Sequence, residues 1–497
     1  MENVLAGLEQ LLQAPVLIAL FTGAIVGVII GAIPGVGPAV AIAILLPVTF
    51  SMEPLTGLTL LLGIYAASMY GGAIPSILIN TPDTVVNVLT TYDGYPLTKR
   101  GEGRRALTLA YTSSFVGGVI SVITLMLIAL PLANFAKRFG SAEFAMAALF
   151  AMVVVVVAHR EKAVAAAMTL GMGLFFATIG IERAFTTQRF TFDQPWLLSG
   201  IPLIPMVLGL FAMSQGLTLL IDRQEMPKMP KLASSRFSGL LEIFKYPRVL
   251  FSSSGFGVFM GILPGVGEFM AQFFSYSLAQ RLSKHPEKFG DGAPEGIIAS
   301  EAANNAVPAS AMIPLLALGI PGEALTAMML SVFYVHNVVP GPALFQQRPE
   351  FIMGLFLSLL ITNFVILGFL LTTTRWLIKI TLVDPRFIGI VVLTLSLIGT
   401  YTSGYKLSDP LLALGFAFMG YIMNRLDIPS VPIVLGLVLG PIFEARFRQA
   451  LGGANGDITV FVTRPISLAL ILIMLIALTA FWLGYRRQTD KIQPTGR

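Results

Sequence analysis

The residues best suited to chemistry are a few carboxylates and amides set beside Gly–Pro breaks in otherwise apolar sequence. Asp83, Glu268 and Glu323 each lie next to such a break, and Glu301-Ala302-Ala303-Asn304-Asn305-Ala306 opens an apolar run. An ionisable group within a long apolar run marks an ion or proton path, whereas the same group at a loop edge is simply solvated. Asn304 and Asn305 supply neutral oxygens suited to Na⁺ or to hydrogen bonds with a carboxylate. Four breaks accompany these groups: Gly31 through Pro38, containing Pro34-Gly35-Val36-Gly37; Asn80-Thr81-Pro82-Asp83-Thr84; Gly261 through Glu268, containing Pro264-Gly265-Val266-Gly267; and Gly319-Ile320-Pro321-Gly322-Glu323. Proline removes a backbone donor and clashes with the preceding turn, and glycine permits positive φ. A broken helix in lipid needs protein, water or ligand to satisfy its freed groups. Its N-terminus then offers N–H groups to anions, and its free carbonyls can hold Na⁺. A single segment of this kind also suits a kink or a close helix crossing. Two symmetric pairs favour a site.

The elements that must position these residues are set by composition. Of 497 residues, 12% are charged and 55% hydrophobic, with mean hydropathy +0.82. Globular domains carry about 25% charge, so the chain needs a bilayer to solvate its apolar faces. The composition predicts an all-α polytopic membrane protein with roughly ten to twelve crossings plus re-entrant or broken helices. Cysteine is absent, which excludes disulfides and thiol chemistry. His159, His285 and His336 are too scattered for a metal cluster, leaving Na⁺ as the metal the sequence suggests, and His336 reads as a loop or packing residue. The net charge of +6 comes from Lys and Arg in short loops, where the positive-inside rule accounts for it without a nucleic acid. Arg183, Arg189 and Arg425 read as interfacial anchors rather than anion ligands. The N-terminal stretch has Glu2 and Glu9 and no basic n-region, so the first apolar segment is expected to be retained. A Walker-type phosphate loop, a His-Glu-x-x-His pair and a Gly-x-Ser-x-Gly elbow are all missing, which disfavours an ATPase, a zinc protease and a serine hydrolase.

Residues 222–248 form a basic linker with six Lys or Arg and three Pro, expected on the cytoplasmic side. It separates a first half, 1–221, from a second, 249–464; residues 465–497 add a last helix and a basic cytoplasmic tail. The halves repeat. Gly27-x3-Gly31-x2-Pro34-Gly35-Val36-Gly37 recurs as Gly257-x3-Gly261-x2-Pro264-Gly265-Val266-Gly267. Further on, Ile74-Pro75 precedes Asn80-Thr81-Pro82, just as Ile313-Pro314 precedes Gly319-Ile320-Pro321. Matched loops differ in charge: Glu53 follows the first Pro-Gly-Val-Gly, whereas Arg281, Lys284 and Lys288 follow the second. The next pair reverses, with Lys99, Arg100, Arg104 and Arg105 against Arg348. Opposite basic content predicts inverted repeats. The absence of Lys and Arg before residue 99 favours an outside N-terminus.

Taken together, these stretches are similar to the large membrane permease subunit of the tripartite tricarboxylate transporter family. The resemblance is carried by both Pro-Gly-Val-Gly units, Tyr70 through Pro82, Asp93-Gly94-Tyr95-Pro96, Glu301 through Ala306, Ile313 through Gly322, and His336 through Pro342 with Leu344-Phe345. It implies a small membrane subunit of about four helices, a periplasmic solute-binding protein, and Na⁺- or H⁺-driven uptake of a carboxylate such as a tricarboxylate across a bacterial inner membrane. It also implies an elevator-like movement and no enzymatic activity. Asp83 and Glu268 are departures, since small residues are expected at both positions. The residues expected to bind substrate are Pro34, Gly35, Val36, Gly37, Asn80, Thr81, Pro82, Pro264, Gly265, Val266, Gly267, Gly319, Pro321 and Gly322. Those expected to couple the ion are Thr81, Asp83, Glu268, Glu301, Asn304 and Asn305. A passive organic-anion channel built on the same helix ends, and a membrane-embedded enzyme, are the competing readings.

Overall fold

The computed structural model describes residues 2–82, 87–182, 186–222, 239–263, 267–380 and 383–492. Side chains from residue 484 onward are outside that description, as are those of Arg160 and Ala324. Most of the basic linker, and with it Arg223, Lys228, Lys231 and Arg236, also lies outside the described residues.

The chain is an all-α polytopic membrane protein. Among the described residues, 8 helices are long and apolar enough to cross a bilayer: Ala14–Gly31, Pro54–Ile79, Gly103–Ala136, Ser141–Ala158, Leu203–Ile221, Pro349–Ile380, Pro385–Gly404 and Pro465–Leu483. Three shorter apolar pieces, Pro38–Ser51, Ala163–Thr178 and Leu325–Val335, account for further runs that the sequence reading took as crossings or re-entrant segments. Proline and glycine cut those runs short. The run from residue 302 is divided in the same way, into Pro294–Asn305 and Val307–Leu318, with Pro308 in the first turn of the second piece. The described strands are a two-residue pair, Gly180–Ile181 with Gln188–Arg189.

The helices divide sharply by environment. Pro54–Ile79 is 94% buried within the protein over its most apolar window, so its neighbours hide it from lipid. Pro465–Leu483 is only 11% buried within the protein over its most apolar window. A helix surrounded by protein can carry polar groups that lipid would not tolerate, and Pro54–Ile79 carries Tyr65, Ser68, Tyr70 and Ser76.

The duplicated glycines explain the close packing around it. Gly27 and Gly31 lie on Ala14–Gly31 against Pro54–Ile79; a Cβ on Gly27 would stand 2.8 Å from the Ile64 carbonyl and 2.7 Å from the Ala67 Cβ. Their repeats, Gly257 and Gly261 on Pro247–Ile262, meet the broken pair Pro294–Asn305 and Val307–Leu318. A Cβ on Gly257 would run into the Ala303 carbonyl and lie 2.6 Å from Ala306 Cβ, and one on Gly261 would stand 3.0 Å from the Val307 carbonyl. Small residues at this spacing let helix backbones approach when lipid supplies no hydrophobic drive.

Two compact units emerge. The first comprises Met1–Ala133 and Ile204–Ile422; the second comprises Asn134–Leu203 and Met423–Arg497. Each takes chain from both sides of the linker. Inside the second, Gly173 of Ala163–Thr178 abuts the Ile433 carbonyl, and a Cβ on Gly436 would lie 2.6 Å from the Leu170 carbonyl. Phe447 stacks on Phe461 at 4.9 Å there, and Arg464 pairs with Glu143 at 3.0 Å. Arg189, read from sequence as an anchor, pairs with Glu182 at 2.9 Å and Glu444 at 3.0 Å.

Candidate functional site

All four breaks are helix ends. Ala14–Gly31 stops before Pro34 and Gly35, and the next helix starts at Pro38 with Gly37 as its extended N-cap. Gly35 has φ +77, which favours glycine, and its carbonyl accepts from Gln215 Nε2 at 2.6 Å. Val36 is fully buried. Pro54–Ile79 ends on Asn80 in the left-handed region, φ +56, with Thr81 N donating to the Pro75 carbonyl at 3.3 Å. Thr81 Oγ1 turns back on the Ile79 carbonyl at 3.2 Å, and Pro82 is the last described residue of that turn. Asp83 lies outside the described residues, as do Pro264, Gly265 and Val266. On the far side of that gap Gly267, φ +66, opens the helix Gly267–Leu282 with Glu268 in its first turn. Val307–Leu318 ends on Gly319, φ +72, and buried Pro321 and Gly322 lead to Glu323, the N-cap of Ala324–Val335.

The two tips of the second half converge on one residue of the first. Tyr65, 1% exposed in the middle of Pro54–Ile79, brings its hydroxyl to Glu323 Oε1 and, at 3.2 Å, to Glu268 Oε1. A Cβ on Gly267 would stand 3.7 Å from Glu323 Oε2, so both helix starts share the cluster. Glu268 is 7% and Glu323 8% exposed. A phenol has one proton to donate. Spent on Glu323, it leaves the Glu268 contact in need of a proton on the Glu268 carboxyl, or of a cation between the acids. Two carboxylates that share one hydroxyl repel each other, and a proton or cation between them relieves that repulsion. Each also sits at a helix N-terminus, where the backbone favours negative charge; the Glu323 N–H donates to Thr326 Oγ1 at 2.9 Å.

A third buried carboxylate, Glu301, belongs to a separate hydrogen-bonded cluster. Glu301, fully buried, accepts from Thr90 Oγ1 at 2.6 Å and Ser114 Oγ at 2.9 Å, and Asn305 Nδ2 donates to Ser114 Oγ at 2.8 Å. Asn304 Nδ2 donates to Asn87 Oδ1 at 3.3 Å. The side-chain oxygens of Asn304 and Asn305 have no hydrogen-bond partner among the described residues. Between the clusters is a cavity of about 10 Å³ with a mostly apolar lining, in which Tyr65, Tyr70, Asn305 and Asn363 are the polar members and Tyr70 donates to Asn363 Oδ1 at 2.6 Å. That is room for about one water or ion. Tyr65 thus serves both the carboxylate pair and the cavity, and Asn305 joins the cavity to Glu301.

Sequence reasoning did not single out Tyr65, Thr90, Ser114 or Gln215. A tyrosine at the centre of a long apolar run was the available signal for Tyr65; small hydroxyls in apolar helices usually bond their own backbone and gave none for Thr90 and Ser114. His336 packs over Gly57 at the end of Ala324–Val335, in keeping with a packing role.

The chain is 32% identical over 492 residues to an uncharacterised 52.8 kDa protein in the TAR-I ttuC′ 3′ region of Agrobacterium vitis, covering 99% of this chain and 98% of the relative. A second uncharacterised protein, from the TAR-II ttuC′ 3′ region of the same organism, is 34% identical over 215 residues, 43% of this chain and 89% of the relative. No solved structure matches. The model of the tripartite tricarboxylate transporter TctA family matches residues 17–435, most of the chain including all four breaks, and the protein belongs to that family of transporters.

Proposed function

We propose that the protein is the permease of a binding-protein-dependent tripartite system that takes up a carboxylate, such as a tricarboxylate, across a bacterial inner membrane in symport with Na⁺ or H⁺. The observation that carries this reading is the meeting of Glu268 and Glu323 on Tyr65 beside an ion-sized cavity. An anionic substrate reaching these helix starts meets like charge unless a proton or cation is already present. Coupling then follows from charge compensation. The cation binds first, neutralises the glutamates, and frees the backbone N–H groups at the tips for substrate carboxylates. The unpartnered oxygens of Asn304 and Asn305 are the neutral donors that favour Na⁺, while the single-proton accounting at Tyr65 favours H⁺.

Two compact units, each built from both sequence halves, support an elevator-like cycle of inverted repeats in which the unit holding the four tips carries the site. A small membrane subunit and a periplasmic solute-binding protein complete the system. The test is uptake of labelled tricarboxylates into proteoliposomes with those partners supplied, under an imposed Na⁺ gradient or ΔpH. Accumulation that collapses when one gradient is removed identifies the coupling ion. Flux that merely equilibrates under both would replace symport with a passive channel.

A further inference from the structure

The helix Gly267–Leu282 carries a polar stripe on the face it turns to the protein. Glu268, Gln272 and Tyr276 follow one another at four-residue spacing, with Ser275 beside them, and all four are buried. The two ends of the stripe have partners. At one end, Glu268 meets the Tyr65 hydroxyl. At the other, about 12 Å along the helix axis, Tyr276 donates to Asp93 Oδ2 at 2.8 Å. The second oxygen of Asp93 accepts from the N–H groups of Gly290, Gly292 and Ala293 at 2.9, 3.0 and 2.8 Å. That loop reaches the surface at Gly290 and follows Arg281, Lys284 and Lys288, the charge pattern of a cytoplasmic loop.

The middle of the stripe is different. Gln272 is 0% and Ser275 1% exposed, yet neither amide atom of Gln272 nor the Ser275 hydroxyl has a hydrogen-bond partner among the described residues. Ala271, equally buried beside Gln272, packs with Ala303, Val307 and Ala311, so the polar stripe has an apolar flank. A buried amide without a partner is costly, and an apolar side chain of the same shape would remove that cost. A glutamine in such a place suits water or a cation that the packing itself does not supply.

We propose that Gln272 and Ser275 line a hydrated pathway by which the coupling cation passes between the carboxylate pair at Tyr65 and the loop held by Asp93. The pathway rests on the proposed symport. It gives the cation that neutralises Glu268 and Glu323 a route to the basic loop, separate from the backbone N–H groups assigned to substrate. Tyr276, edge-on to Tyr92 at 6.2 Å and to Phe289 at 5.3 Å, stands at its mouth.

The sequence has no cysteine, so the full chain is a clean background for thiol labelling. In proteoliposomes, the small cation methanethiosulfonate ethylammonium should modify Gln272→Cys at least about tenfold faster than Ala271→Cys, because a thiol in dry apolar surroundings stays unreactive. Ser275→Cys, closest in size to the native side chain, should follow Gln272→Cys. Equally slow modification at all three positions would mean a dry helix face and overturns the pathway. Gln272→Met, apolar and of similar shape, supplies the transport readout. Its thermal midpoint should equal or exceed that of wild type, while the maximal rate of gradient-driven uptake falls about tenfold at an unchanged half-saturating substrate concentration. A lowered midpoint would give Gln272 a structural role and overturns the proposal. Wild-type uptake by Gln272→Met, with wild type accumulating substrate, overturns the pathway and leaves symport standing. A wild type that only equilibrates substrate removes the symport, and the pathway with it.

Discussion

The hydroxyl of Tyr65 donates to the carboxylate of Glu323, a residue 258 positions further along the chain. That bond ties the middle of the most buried of the eight candidate spans to the start of a helix in the other sequence half. The same phenol reaches Glu268, so one atom reports on both second-half tips.

Tyr65→Phe keeps the ring and deletes that atom. The protein should insert and elute as wild type, and coupled uptake should fall about tenfold or more, in line with loss of a buried hydrogen bond to a charged group. Glu268→Gln and Glu323→Gln should each weaken the response to the driving gradient more than substrate binding. Uptake rates and the gradient dependence of all three variants, measured in proteoliposomes, check this. Unaltered coupling in every variant would remove the cluster from the transport cycle.

Two glycines of Pro247–Ile262 provide an internal control on packing. Gly257→Ala forces a methyl into the Ala303 carbonyl and should cost about 1–3 kcal/mol. Gly255→Ala, two residues earlier with nothing within 4 Å, should be neutral or stabilise by up to about 1 kcal/mol through helix propensity. Thermal unfolding in detergent compares them directly. Equal midpoints would show that the duplicated glycine is not there for helix approach.

Asn80 and Gly319 end corresponding helices in the same left-handed conformation, at φ +56 and +72. Asn80→Gly preserves the turn, so retained uptake would make Asn80 a cap, and lost uptake with intact stability would make its amide a ligand. Gly319→Ala is expected to destabilise by about 1–2 kcal/mol from the conformation alone, with the Pro340 carbonyl 2.9 Å from the new methyl adding to it. Melting and uptake measured on the same preparations separate the two effects.

Glu242, in the described end of the linker, is held below the usual carboxylate range by its hydrogen bonds from Arg105. A carboxylate whose folded value is depressed adds stability above its unfolded value and loses it as pH falls through the folded one. Glu242→Gln should therefore lower the thermal midpoint near neutral pH, by the equivalent of about 0.5–1 kcal/mol after solvent screening. The gap from wild type should close under acid conditions. A gap that stays constant down to pH 3 would mean that the ion pair contributes nothing.

The repeat and its breaks were legible in the sequence because they rest on backbone rules. Pro34, Gly35, Pro82, Gly319 and Pro321 mark helix ends by their own conformational limits, and Gly27 and Gly257 recur because close approach admits no Cβ. Glu268, Glu301, Asn304 and Asn305 could be noticed because polar groups are conspicuous in apolar runs. Which of them meet could not be read. Tyr65 joins Glu323 only through tertiary packing, and Thr90 and Ser114 look like ordinary helix-tolerant hydroxyls until Glu301 is placed between them. Nor does local sequence reveal that compact units are assembled from non-adjacent segments.

That assembly has a consequence for how the protein is made. Gly173 packs against the carbonyl of Ile433, a residue the ribosome reaches about 260 positions later, on the order of tens of seconds at usual synthesis rates. Through that interval the helix Ala163–Thr178 waits in the membrane with its small-residue face uncovered. A nascent chain halted before residue 433 leaves this face open to any other helix in the bilayer, which makes such truncated products natural clients for membrane quality control.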